Sequence, residues 1–163
     1  MPVAGDGAGA TWPGKRVIVR DYTPAAWQPL VERALAAFNA AMPPEVPRLV
    51  YRRQKERRCR DLPNTGRRGS LTLCADDGRE LALWWGWAEY RVERDGIIPS
   101  AKVSLYAGMP ESEVGPSICH ELMHALTNAD HSPFREDSCV RGHLSEPGAW
   151  DVAFAQRVYR KDR

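Results

Sequence analysis

The sequence predicts an α+β fold, a mixed α/β sandwich in a single domain, and three observations carry that prediction. Strand-like runs recur at residues 15–20, 47–52, 69–74 and 97–106, the first β-branched and the last two alternating. Segments with apolar residues at helical spacing separate or follow them, at residues 27–42, 118–126 and 150–158. A chain of 163 residues without internal repeats is most simply one domain with its own core. The order strand, helix, strands, helix, loop, helix implies a helix on one side of a twisted sheet and a second long helix on the other.

Taken in order, residues 1–14 are rich in Gly, Ala and Pro and contain no apolar run of the kind a secretory signal needs. They read as a loose, flexible tail, leaving 15–163 as the domain. The run from Lys15 to Arg20 is a first strand. Thr23 and Pro24 offer an N-cap and a first helical residue, and Trp27, Leu30, Val31, Ala34, Leu35, Phe38 and Met42 form an amphipathic helix. Pro29 requires that this helix either begin near Trp27 or kink, and Pro43-Pro44 ends it. A second strand at 47–52 runs into the basic segment 52–60. With no aromatic residue interleaved for base stacking, that segment reads as a solvated loop rather than a nucleic-acid site.

Residues 61–66 are a turn, and 69–74 are a third strand closed by Asp76-Asp77-Gly78. The aromatic set Trp84, Trp85, Trp87 and Tyr90 reads as core in preference to a substrate wall. Residues 97–106 alternate as a further strand, with Val103 and Leu105 opposite Lys102, Ser104 and Tyr106. Pro116 suits the first turn of the next helix, with Ser112 or Gly115 as its cap. Ile118, Leu122 and Leu126, flanked by Cys119 and Met123, give that helix a buried face. An irregular stretch at 132–142 precedes a last helix carrying Trp150, Val152, Phe154 and Val158.

Composition narrows the function classes. The chain is 43 % hydrophobic and 27 % charged, as ordinary globular proteins are, and has no apolar run long enough to span a bilayer. A net charge of +2 is too small to imply a nucleic-acid partner. The expectation is therefore a monomer with neither membrane nor nucleic-acid partners. Four cysteines, Cys59, Cys74, Cys119 and Cys139, allow three pairings and contain no Cys-x-x-Cys. The neighbours in sequence are Cys59 with Cys74 and Cys119 with Cys139. Two disulfides would point to an extracellular or secreted protein, and free buried thiols are the alternative.

The chemistry concentrates in residues 118–131, which hold three of the four histidines. His120, Glu121 and His124 form His-Glu-x-x-His on the third predicted helix, off its buried stripe. Histidines four apart lie one turn apart on the same face, so both imidazoles can reach one ion. Glu121 between them is placed to act as general base towards a water activated by that ion. A third ligand must follow. Glycine or asparagine tolerates the left-handed conformation that ends such a helix, whereas threonine does not, so Asn128 rather than Thr127 should make the turn. Asp130 and His131 then stand as the two candidates for the third ligand. The expected metal set is His120 and His124 with one of these two, the ion Zn2+, and the catalytic residue Glu121. His143 has no evident partner and reads as structural.

Motif and element order together resemble the metzincin superfamily of zinc peptidases, especially its matrixin-like and snapalysin-like members, over about residues 15–160. The family pattern is His-Glu-x-x-His-x-x-Gly-x-x-His, or the same with a terminal Asp. His120, Glu121 and His124 match it, Thr127 falls on the Gly position, and Asp130 falls on the third-ligand position when no insertion is allowed; counted three onward from Asn128, as the family counts three from its glycine, the resemblance implies His131 as the third ligand. Val140, in 137–141, stands where the family places a methionine turn. The resemblance implies a twisted, mostly parallel sheet with a backing helix, an active-site helix and a C-terminal helix. It also implies a metalloprotease, a hydrolase that binds a protein or peptide substrate in extended form along strand 101–106. Cys119–Cys139 would then tie the floor of the site to its helix. The rival class is a non-catalytic, zinc-stabilised binding module in which Glu121 is idle.

Overall fold

The computed structural model describes residues 9–64, 66–131 and 133–160. Residues 1–8 of the expected tail, Thr65 in the expected turn and Ser132 at the head of the expected irregular stretch lie outside the described residues. Five strands, β1 (Arg16–Asp21), β2 (Arg48–Arg53), β3 (Ser70–Asp76), β4 (Gly86–Tyr90) and β5 (Ala101–Tyr106), form one sheet in the order β2-β1-β3-β5-β4. All neighbours run parallel except β4, which pairs antiparallel with β5, so the mostly parallel sheet is present. Four helices accompany it: α1 (Gln28–Ala41), α2 (Arg79–Trp84), α3 (Glu111–Thr127) and α4 (Ala149–Arg160).

The helices are not divided between the two faces of the sheet, as the element order suggested. Val31, Leu35 and Phe38 of α1 and Ile118, Leu122 and Leu126 of α3 share one core with Val17, Val19, Leu71, Leu73, Val103 and Leu105 of the sheet. α1 also packs directly against α3. Strand residues alternate in direction, so these sheet residues mark a single face and both helices cover it. The opposite face has a smaller cluster, Cys59, Leu62 and Cys74 with Tyr22, held by the Cys59–Cys74 disulfide. Lys102 reaches into this second layer, where its ammonium donates to the carbonyls of Cys59 and Leu62 and to Asn64 Oδ1. The alternating residues of β5 are therefore buried on both sides of the sheet, apart from half-buried Tyr106 at its end.

Local chemistry explains the other departures. α1 starts at Gln28 after a short 3-10 turn, which puts Pro29 in the first turn, where no N–H is needed, and the helix has no kink to explain. Thr23 does not cap it; its hydroxyl donates to Asp21. α3 begins at Glu111 after Pro110, so Pro116 sits inside the helix and neither Ser112 nor Gly115 is the cap. The basic segment is partly internal. Arg53 pairs with Asp21, and Arg60 pairs with Asp76 and Asp77, pulling the Asp76 carboxyl well below the usual carboxylate range.

The end of the expected tail is structured. Ala10, Thr11 and Trp12 are buried; Trp12 Nε1 donates to the Ala125 carbonyl and its backbone N–H donates to Tyr159. The chain before β1 thereby straps α3 to α4. A run rich in Gly, Ala and Pro lacks the periodicity that would announce such a strap.

Candidate metal centre and active site

The site is built on the last two turns of α3. Val114, Ile118, Leu122, Ala125 and Leu126 fix the helix in the core. This leaves His120 partly buried, and Glu121 and His124 buried, on the side facing β4 and the segment after the helix. The helix ends where steric reasoning placed its end: Asn128 takes φ 55° and ψ 35°, the left-handed C-cap. Tyr90 of β4 donates to Asn128 Oδ1 at 2.7 Å, fastening the turn to the edge of the sheet. The chain then doubles back and brings His131 to the helix histidines.

His120, His124 and His131 form a group whose ligand atoms all lie within 4.8 Å of one another, and the three could hold a metal ion. His124 Nε2 is 3.1 Å from His120 Nε2 and 2.8 Å from His131 Nε2. The opposite ring nitrogens are engaged elsewhere. His124 Nδ1 meets the Ala129 carbonyl at 2.7 Å, and His120 Nδ1 meets that of Cys139 at 3.3 Å. A carbonyl only accepts, so both Nδ1 atoms carry the hydrogen and both Nε2 atoms turn lone pairs toward each other. A metal cation is the kind of partner such converging lone pairs can accept.

Electrostatics favour the same state. Burial, reinforced by the neighbouring imidazoles, lowers the pKa of His120 to about 4 and of His124 to about 3, so both are neutral, the form that binds metal. Burial also lowers that of His131, against the opposing pull of Asp130. Glu121 is 5 % exposed, and burial raises its carboxyl to about 8. Gly86 of β4 lies against it: a Cβ there would come within 2.8 Å of Glu121 Oε1. Only a glycine lets the strand approach the carboxyl so closely.

Asp130 does not join the histidines. It pairs with Arg141, whose guanidinium stacks over Trp150 at 4.1 Å. The segment that holds Arg141 is anchored by buried Asp151, which accepts from the Ser138 hydroxyl and from the N–H groups of Cys139 and Gly148. The Cys119–Cys139 disulfide joins the same segment to the residue before His120, and Val140 is buried in the core beside it. Asp151 and Arg141 escaped the sequence reading because Ser138 and Cys139, which Asp151 holds, and Asp130, which Arg141 holds, lie more than ten residues from them in the chain. Both disulfides pair sequence neighbours, and such bonds belong to an oxidising environment of the extracellular kind.

Three site expectations need correction. Strand β5 is not the rim of the cleft, because β4 pairs along it and forms the edge of the sheet itself. Trp84 is 69 % exposed rather than core, although Trp85 and Tyr90 do pack against the core. Its neighbour Leu83 is 76 % exposed, and both border a cavity that reaches His120 and Glu121. His143 is not an isolated structural histidine; it lies on the same cavity with Nε2 2.9 Å from Glu113 Oε2. No helix among the described residues is long and apolar enough to cross a membrane. Compared with known proteins, the chain matches no family model and no curated protein.

Proposed function

We propose that the protein is a zinc-dependent endopeptidase of the metzincin kind. The observation that carries this reading is the three-imidazole cluster of His120, His124 and His131 with the buried carboxyl of Glu121 beside it. Three neutral imidazoles with an open fourth position are the donor set of catalytic zinc, whereas structural zinc is usually closed by four protein ligands. The resemblance in motif and element order supports the same reading, with Thr127 and Val140 as its departures from the family pattern.

Zinc in this position supplies a water of lowered pKa and polarises the scissile carbonyl. The chain's own residues do the rest. Glu121 takes the proton of the attacking water and passes it to the leaving amine. Burial makes its carboxyl a competent carrier near neutral pH. The carbonyls of Ala129 and Cys139 hold the imidazoles of His124 and His120 in orientation. The edge strand β4 offers the outward backbone groups along which an extended polypeptide adds as a further strand.

The test is cleavage of an unstructured polypeptide by the zinc-loaded chain and by Glu121→Gln. The substitution should lower kcat/KM by at least about 100-fold, the usual worth of a positioned general base, and leave zinc bound. Wild-type cleavage rates in Glu121→Gln would remove Glu121 from the mechanism. A chain that binds zinc and cleaves nothing would instead be the metal-stabilised binding module.

A further inference from the structure

Beside the metal centre lies a cavity of about 270 Å³ that the mechanism leaves unused. Leu83, Trp84 and Trp85 line it together with Glu113 and His143, which lie side by side, and with His120 and Glu121 of the histidine cluster. Two features set this lining apart from ordinary surface. Leu83 and Trp84 hold large apolar side chains in solvent. Trp85 adopts φ 62° as the left-handed C-cap of α2, a conformation costly for a bulky residue.

The charges are one-sided. Apart from the metal-site residues, the ionisable groups on the cavity are Glu113 and His143, and no lysine or arginine of the described residues lines it. The Glu113 side chain is 21 % exposed and its Oε2 is buried. His143 Nε2 stands 2.9 Å away but out of line for a hydrogen bond, on a side chain that is 71 % exposed. A carboxylate in an aromatic-walled cavity suits a cation on an aliphatic stem. Indole faces attract the cation, the stem covers apolar surface, and the carboxylate accepts charge-assisted hydrogen bonds. An acidic side chain would face repulsion from Glu113.

We propose that this cavity is a specificity pocket for an arginine or lysine side chain flanking the scissile bond, with Glu113 as its counter-charge and Trp84 and Trp85 as its walls. The inference rests on the peptidase reading for its place beside the scissile bond, and on the cavity alone for its ligand. Substrates would then be basic polypeptides, cut next to a cationic residue.

The test uses Ala/Ser decapeptides carrying a single Arg, Lys, Phe, Leu or Glu. Binding is measured by calorimetry on the zinc-loaded Glu121→Gln chain, and cleavage on the wild type. The Arg peptide should bind about tenfold more tightly than the Phe peptide, the worth of one charge-assisted hydrogen bond. Adding Glu113→Gln to the binding protein should reduce that ratio to within about twofold. Equal binding of Phe and Arg peptides, an Arg preference that survives Glu113→Gln, or binding of none of the peptides would overturn the proposal. Arg-selective binding without any cleavage would keep the pocket and overturn the peptidase; cleavage without preference for a basic residue would do the reverse.

Discussion

The two halves of the candidate metal centre are held by different physics. His120 and His124 ride on α3, where one helical turn sets their spacing and a buried apolar face sets their direction. His131 rides on a segment without regular structure, and its position depends on a series of individual bonds. Asn128 turns the chain, Tyr90 fastens the turn, Arg141 holds Asp130, and Cys119–Cys139 ties the segment beyond to α3. A ligand on a helix inherits precision from the core, whereas a ligand on a loop must be given it by supporting contacts. The first half should therefore fail only when a ligand is removed, and the second should weaken in steps as its supports are taken away.

The largest contrast should come from the ligands themselves. His124→Ala removes the imidazole nearest both others and should abolish stoichiometric zinc binding, read by metal content after gel filtration. Loss of the supporting Asp130 charge in Asp130→Asn should instead weaken zinc by about 10–100-fold, as is usual for groups one shell out. A competitive chelator titration measures it. An affinity unchanged in Asp130→Asn would mean that the Arg141 contact does not position His131.

Acidity separates the two histidines of α3 from the carboxyl between them. In the chelated protein, His120 and His124 have depressed pKa values, so the unfolded chain binds more protons below about pH 6.5. Their contribution is present above that pH and is lost as pH falls towards about 4. Glu121 has a raised pKa, so its contribution is present at low pH and is lost as pH rises through about 8. Thermal stability without metal should then peak near pH 6–6.5 and decline towards pH 8. Glu121→Gln should remove that decline, and a decline of equal slope in the variant would assign it to other groups.

The smallest effect tests the turn. Asn128→Gly keeps a residue suited to positive φ but deletes the bond from Tyr90, and should cost about 1 kcal/mol by thermal unfolding. Asn128→Ala, which also strains the backbone, should cost about 1–2 kcal/mol more. Equal stability of the two would show that left-handed strain is not what asparagine relieves.

What was legible in the sequence divides along the same line. The helix ligands follow from a four-residue spacing, and the turn follows from which side chains tolerate positive φ; both are local rules. β1 announced itself by a β-branched run and β3 by alternation. The buried Lys102 did not, because the carbonyls that accept its charge come from residues 59–64, which only the fold brings to it. The strap at Trp12, the exposure of Trp84 and the Asp151 anchor were hidden for the same reason. Pro116 misled the placement of the α3 start, since a proline that fits a first turn can also be carried inside a helix whose far end is well packed. The face of the sheet that α1 and α3 share is likewise a matter of crossover and packing, which element order alone leaves open.

The central claim is that His131, and not Asp130, completes the metal centre with His120 and His124. It is tested most directly by measuring bound zinc in the wild type, His131→Ala and Asp130→Asn after dialysis against a weak chelator. The account predicts one zinc per wild-type chain, zinc retained by Asp130→Asn, and none retained by His131→Ala. Zinc retained by His131→Ala but lost from Asp130→Asn would contradict it and make the carboxylate the third ligand.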